Sequence, residues 1–338
     1  MAILMTSLKI VCASILALAG SGATYQYVAT KLDERNFPPI GKMVDVGGYK
    51  LHMIDSGVVV EGHPTIVMDS GISGDSCDWF LVQPEIAKFA RVITYDRAGY
   101  AWSDVSPLER TSENMMQELH TMLHNAGVQG SYILVGHSFG GLNVRLFAQK
   151  YPNKVAGVVL VDASHEDMYE KMDVPDMKLL SQGALCLWFL GIPRLLLYLM
   201  TFNSSLENNP LEKLPLELQK RLMSKKLPTK FMTAFMHEEA GFKQDCKMIQ
   251  EKARLLGDLP LTVITKGKPM TILETMGTAT QDQVDKMNRV WPELQADLVT
   301  KSSRGKQVIA ENSGHRVPYD QPEIIIEAVR EMMEELRK

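Results

Sequence analysis

Ile133-Leu134-Val135-Gly136-His137-Ser138-Phe139-Gly140-Gly141 is the stretch that decides how the rest of the chain is read. A short apolar run enters Gly-x-Ser-x-Gly directly. A helical apolar pattern follows at once (Leu142, Val144, Leu146, Phe147) and closes at Tyr151-Pro152. Strand, tight turn and helix is the context in which a serine is held in a strained backbone conformation with its hydroxyl presented. Side chains at positions 136 and 140 would collide with the neighbouring strand and helix, so the turn requires Gly136 and Gly140. The same turn sets Ser138 at a helix N-terminus, where backbone N–H groups favour developing negative charge. The expectation is an activated serine.

The 338 residues carry 45% apolar and 22% charged side chains with a net charge of −4, the composition of an ordinary globular protein with no basic surplus for nucleic acid. That length suits one core domain with an insertion. Cys12, Cys77, Cys186 and Cys246 lack metal-site spacing, so no metal is expected, and no disulfide follows from their positions.

The first 30 residues stand apart. Lys9 precedes the apolar run Ile10–Ala19, small residues follow (Gly20-Ser21-Gly22-Ala23), and Tyr25, Tyr27 and Val28 lead into the charged Lys31–Arg35. Two readings stand side by side, with a soluble amphipathic extension as a third. Ile10–Val28 forms a membrane anchor with tyrosines near its edge, or Ala17-Leu18-Ala19 is the cleavage site of a signal peptide. The anchor and the signal peptide both imply an extracytoplasmic catalytic domain, anchored or secreted. Residues 31–41, with Asn36-Phe37-Pro38-Pro39-Ile40-Gly41, read as a linker.

Beyond it the pattern alternates. Met43–Val46 and Tyr49–Ile54 flank Gly47-Gly48 as a two-residue hairpin. Thr65–Met68, Arg91–Tyr95, Val155–Val161, Leu261–Thr265 and Lys306–Ala310 read as buried strands. Helical spacing runs over Trp79–Phe89, Thr111–Ala126 and Pro322–Leu336. The fold class is α/β, a mostly parallel sheet with helices on both faces.

With these segments in order, the chain resembles the α/β-hydrolase-fold serine hydrolases over about residues 42 to 336. Asp96-Arg97-Ala98-Gly99-Tyr100-Ala101-Trp102-Ser103 is similar to the family's Asp-Arg-x-Gly-x-Gly-x-Ser segment, with Ala101 where a second glycine is usual. Ser313-Gly314-His315 follows the last strand, where the family keeps its histidine. The resemblance is strongest to bacterial hydrolases with an N-terminal apolar segment and a helical cap. It implies a core over 42–163 and 258–338, with the cap over 164–257.

A serine hydroxyl needs a base, and His315 is the expected one. The other histidines read as structural or solvated. The commonest family position for the acid follows Leu261–Thr265, but that loop offers no carboxylate before Glu274. A second family arrangement uses the loop after Val155–Val161, which begins with Asp162. Asp162 is the expected acid, with Glu274 as the alternative and Glu166 and Asp167 behind it. For the oxyanion, the resemblance assigns the N–H of Phe139 and that of Ile72, reached by aligning Gly71 with the family glycine; Gly71 stays open as the donor.

Residues 164–258 interrupt the alternation. Leu185–Leu190 and Leu195–Met200 are strongly apolar, and Gly191-Ile192-Pro193-Arg194 between them argues against one continuous membrane helix. They read as cap helices packed on the core, or as a lid touching an acyl chain or lipid. Helices over Leu211–Lys226 and Phe231–Leu256 read as charged, solvated cap surface.

The expected activity is hydrolysis of a carboxylic ester of an apolar or lipid substrate, without metal or organic cofactor, at or near a membrane surface. A serine at the turn argues against the aspartate-dependent dehalogenases and epoxide hydrolases of this fold. An amidase or aminopeptidase, for which Glu238 or Glu239 would hold the substrate amine, a carbon–carbon bond hydrolase and a non-catalytic binding protein remain as alternatives.

Overall fold

The computed structural model describes residues 2–174, 178–202, 216–275 and 278–337. Among the described residues eight strands form one sheet in the order β1-β2-β4-β3-β5-β6-β7-β8. They are β1 (Lys42–Asp45), β2 (Lys50–Ser56), β3 (Thr65–Asp69), β4 (Val92–Tyr95), β5 (Tyr132–His137), β6 (Val155–Val161), β7 (Leu261–Lys266) and β8 (Gly305–Ala310). β1 and β2 form the expected hairpin, closed by the Val46 amide on the Tyr49 carbonyl at 2.8 Å. β2 pairs antiparallel with β4, and the strands from β4 to β8 are mutually parallel. Strand order reverses beside β3, where β4 lies on one side and β5 on the other. That reversal opens a crevice outside the carboxyl ends of the strands, the place where α/β sheets bind ligands.

The helices are α1 (Ala2–Asn36), α2 (Gln83–Ile86), α3 (Ser112–Asn125), α4 (Phe139–Lys150), α5 (Met168–Lys171) and α6 (Lys178–Phe189). They continue as α7 (Ile192–Phe202), α8 (Leu216–Lys226), α9 (Thr229–Lys252), α10 (Gln281–Val299), α11 (Val317–Asp320) and α12 (Pro322–Glu335). One face of the sheet is covered by α3, α4 and α10 through Leu119, Leu142, Phe147, Trp291 and Leu294. The other is covered by α2 and α12 through Ile86, Ile325 and Val329. Strands buried on both faces carry consecutive apolar residues rather than alternating ones, as Ile66-Val67-Met68 in β3 and Val92-Ile93 in β4 do.

Several expectations change. The Trp79–Phe89 pattern is realised only as a 3-10 turn at Ser76–Trp79 and the short α2. The segment expected as a linker from residue 31 is helical to Asn36, because α1 runs unbroken through it. α10 was not apparent from periodicity, although Thr280 and Gln283 form a capping box at its start. One face of α9 is core rather than solvated surface: Phe231, Met232, Glu238, Asp245, Cys246 and Ile249 are buried. The expected helix over Leu211–Lys226 is described only from Leu216, and residues 211–215 lie outside the described residues.

The chain divides into two compact units, residues 1–38 with 178–236, and residues 39–177 with 237–338. The second holds the sheet. In the first, α1 packs on α6 and α8, and the break at Leu190–Gly191 turns α6 into α7. The cap expected over 164–257 is therefore shared between the units, with 164–177 and 237–257 packing with the sheet.

Candidate active site

Ser138 sits between β5 and α4 with φ 53° and ψ −121°, a left-handed conformation that costs about 1–3 kcal/mol. The surrounding backbone enforces it. The Ser138 amide donates to the Val161 carbonyl at 3.1 Å, and the Ser138 carbonyl accepts from Gly141 and Ser164 at 2.9 Å each. A Cβ at Gly136 would lie 2.5 Å from the Gly140 carbonyl oxygen, and one at Gly140 would lie 2.4 Å from that of Asp69. Glycine is thus required at both positions.

The Ser138 hydroxyl donates to His315 Nε2 at 2.9 Å, and His315 Nδ1 donates to Asp162 Oδ2 at 2.5 Å. A buried carboxylate facing Nδ1 selects the tautomer that leaves Nε2 as an acceptor. Asp162 lies one residue past β6, at φ 41°, and is fully buried. Burial pushes its carboxyl up, but His315, the nearby Lys266 ammonium and the Trp291 indole outweigh that and hold it below its ordinary value. Trp291 Nε1 donates to Asp162 Oδ1 at 2.8 Å, and the Lys266 amide donates to the same oxygen at 3.1 Å. Lys266 Nζ stands 5.4 Å over the Trp291 ring. Trp291 and Lys266 escaped the sequence reading: Trp291 lies in α10, 129 positions from Asp162, and only the helix's capping residues hinted at that element.

His137 is half-buried and has its own task. Its Nε2–H donates to the His315 carbonyl at 2.8 Å. Burial, reinforced by His315, lowers its pKa to about 4, so the ring stays neutral near pH 7. The residue before the serine therefore fixes the loop that carries the histidine.

The loop after β3 is held by Arg97 of the Asp-Arg segment. Its guanidinium donates to the carbonyls of Ser70 at 2.6 Å and Gly71 at 2.8 Å, and to Asp69 at 2.8 Å. Glu238 closes the network, accepting from Arg97 Nε and Nη2 at 2.8 Å each and from the Tyr100 hydroxyl at 2.9 Å. Gly71 rides against the serine, since a Cβ there would come within 3.1 Å of Ser138 Cβ. Among the described residues the Ile72 amide donates to none. Phe139 is the first residue of α4, so its amide has no partner within that helix. Both N–H groups assigned to the oxyanion thus belong to segments that flank Ser138.

Other candidates fall elsewhere. Glu274 spends its carboxylate on the Thr271 amide and hydroxyl, at 2.7 and 3.0 Å, and makes no hydrogen bond to His315. Glu166 pairs with Arg145 at 2.6 Å; burial pushes its carboxyl up, but the Arg145 guanidinium outweighs that and holds it well below its ordinary value, and Asp167 accepts from Gln250 at 2.8 Å. Glu238, the amine-binding candidate, is instead committed to Arg97 and Tyr100, and His52 is buried against Asp96 at 2.8 Å. His165, Glu166 and Asp297 cluster with metal-like spacing, but Lys301 at 2.6 and 3.2 Å and Arg145 already supply the compensating charge.

A sequence model described as alpha/beta hydrolase fold matches residues 64–322. A Hormonema carpetanum protein, efuK, whose name calls it a probable transporter, is 25% identical over 87% of this chain, and the match spans 42% of that longer protein. Among solved structures, the epoxide hydrolase CorEH superposes with a TM-score of 0.59 at 17% identity, covering 87% of this chain and 98% of its own. An esterase from Thermogutta terrifontis superposes with a TM-score of 0.56 at 19% identity, covering 88% and 99%. Two solved relatives of different chemistry sharing one architecture shows that the scaffold alone does not select the reaction. With the family model spanning most of the sheet-bearing unit and the strand order to match, the chain belongs to the alpha/beta hydrolase fold family.

Proposed function

We propose that this hydrolase cleaves carboxylic esters of apolar substrates through an acyl-enzyme on Ser138. The observation that carries the reading is the unbroken hydrogen-bond chain from the Ser138 hydroxyl through His315 to Asp162. His315 Nε2 takes the hydroxyl proton as Ser138 Oγ attacks the ester carbonyl. The oxyanion that forms meets the N–H groups of Phe139 and Ile72. Collapse breaks the ester C–O bond, and His315 returns the proton to the leaving alkoxide. Water then attacks the acyl carbon with His315 again as base, releasing the acid and restoring Ser138. Asp162 orients the imidazole and stabilises the imidazolium without accepting its proton.

A serine in the attacking position favours this over epoxide opening, which uses a carboxylate nucleophile on this fold. Commitment of Glu238 to Arg97 takes up one of the two acids, Glu238 and Glu239, that an aminopeptidase reading would use. Membrane attachment belongs to the same proposal: α1 is long and apolar enough to cross a bilayer and holds the enzyme at the surface from which apolar esters come.

The test is hydrolysis of p-nitrophenyl esters of increasing acyl length. Ser138→Ala is expected to lower kcat by about 10⁶-fold, and equal rates in the two proteins would contradict the serine mechanism. Asp162→Asn is expected to lower kcat by about 10³–10⁴-fold through the wrong imidazole tautomer, while Glu274→Gln leaves it nearly unchanged. The reverse pattern would move the acid to Glu274.

A further inference from the structure

The unit formed by residues 1–38 and 178–236 carries apolar surface that its own packing does not cover. α1 contains an uncharged run of 21 residues, Ile10–Thr30, between Lys9 and Lys31. At 1.5 Å per residue this run is about 31 Å long, the thickness of a bilayer's hydrocarbon core. Ile15, Leu16 and Leu18 in it are exposed.

The register of α6 and α7 against this run is fixed by close contacts. A Cβ at Gly22 would lie 2.7 Å from the Leu190 carbonyl oxygen, so α1 meets the α6–α7 turn backbone to backbone there. Gly191, at φ 69°, faces the Tyr25 ring, which a Cβ would approach to 2.9 Å. Arg194 sits higher along α1. It is 8% exposed, pairs with Asp33, and donates to Gln26 at 3.2 Å and Thr30 at 3.4 Å. The arginine that argues against a simple membrane helix is thus neutralised at the charged end of the α1 run. The turn itself meets α1 at Gly22 and Tyr25, about 9–14 Å below Lys31 at the charged end of the run.

At that depth the hairpin presents Leu187, Phe189, Leu195 and Leu196, each between 45% and 58% exposed. Between it and α1 lies a cavity of about 650 Å³ walled by Ile15, Leu18, Leu190, Ile192 and Leu195. The exposed side chains of the hairpin and of α1 are apolar alike, and the buried Arg194 is paired with Asp33 at the charged end of the α1 run.

We infer that the α6–α7 hairpin is itself immersed in the membrane beside α1, with lipid acyl chains covering its exposed face and occupying the cavity between them. This rests on the reading of α1 as an anchor. The partner is the hydrocarbon interior of the bilayer, because every side chain named on the exposed face is aliphatic or aromatic and none carries charge.

The test uses the full chain with the exposed cysteines removed (Cys12→Ser, Cys186→Ser) and a bimane label placed singly through Phe189→Cys, Leu196→Cys or, on the exposed side of α12, Glu334→Cys. Each variant is first matched to its parent by thermal melting. It is then reconstituted in phosphatidylcholine vesicles whose acyl chains are brominated. The expected result is flotation with the vesicles, severalfold stronger quenching at positions 189 and 196 than at 334, and protection of those two labels from aqueous iodide. Flotation with labels 189 and 196 open to iodide overturns the immersed hairpin while leaving α1 as an anchor. Failure to float overturns both. No turnover is measured, so neither outcome depends on the ester-hydrolase reading.

Discussion

Ser138 and Ala101 carry the clearest residue-scale costs. Ser138 holds φ 53° because its hydroxyl must stand clear of α4, so the protein is expected to gain stability when the side chain goes. Ser138→Gly should unfold with about 1 kcal/mol more resistance than wild type while losing ester hydrolysis; a lower melting temperature would mean that the turn is not strained. Ala101 sits at φ 35°, in the place where the resemblance expects glycine. Ala101→Gly should stabilise by about 1 kcal/mol in urea unfolding without changing kcat, and a loss of stability would contradict the strain. At this scale the sequence was legible where a residue ends a strand. Ser138, Asp162 and His315 each follow an apolar run, so strand position and chemistry coincide. Trp291 and Lys266 were not legible as partners of Asp162, because their roles depend on α10 and β7 meeting in space.

At the scale of elements, α9 shows why a charged pattern can mislead. Its lysines and glutamates suggest a solvated helix, yet Glu238 and Asp245 are buried, and the groups that hydrogen-bond them come from elsewhere in the chain. Arg97 lies 141 positions from Glu238, and Ser112 lies 133 from Asp245. Removing one member of a buried ion pair leaves an uncompensated charge, so Glu238→Gln should cost about 3 kcal/mol. It should also lower kcat, since Arg97 holds the Ser70 and Gly71 carbonyls. Unchanged urea unfolding would contradict the tie.

Asp245 gives the same helix a pH signature. Burial, opposed by the Ser112 hydrogen bonds, raises its carboxyl to about 6, above the value it has in the unfolded chain. The folded state therefore holds that proton more tightly, and the group's contribution to stability is lost as pH rises through about 6. Asp245→Asn keeps an acceptor for the Ser112 amide and removes the titration. It should stabilise by about 1–2 kcal/mol at pH 7.5 and by nearly nothing at pH 4. Equal effects at the two pH values would contradict the assignment.

At the scale of the whole molecule, the sheet could be read from strands that recur between helical segments, and the antiparallel hairpin at one edge from Gly47-Gly48. The division into units could not. Residues 178–236 share a unit with 1–38 because α6 and α8 pack on α1, a pairing across the length of the chain that no local period encodes. The central claim is that Ser138 is the nucleophile of a hydrolase. Incubation with a fluorophosphonate, followed by peptide mass spectrometry, tests it most directly. The expected result is one phosphonylated residue, Ser138, in wild type and none in Ser138→Ala; absence of labelling, or labelling that persists in the variant, would contradict it.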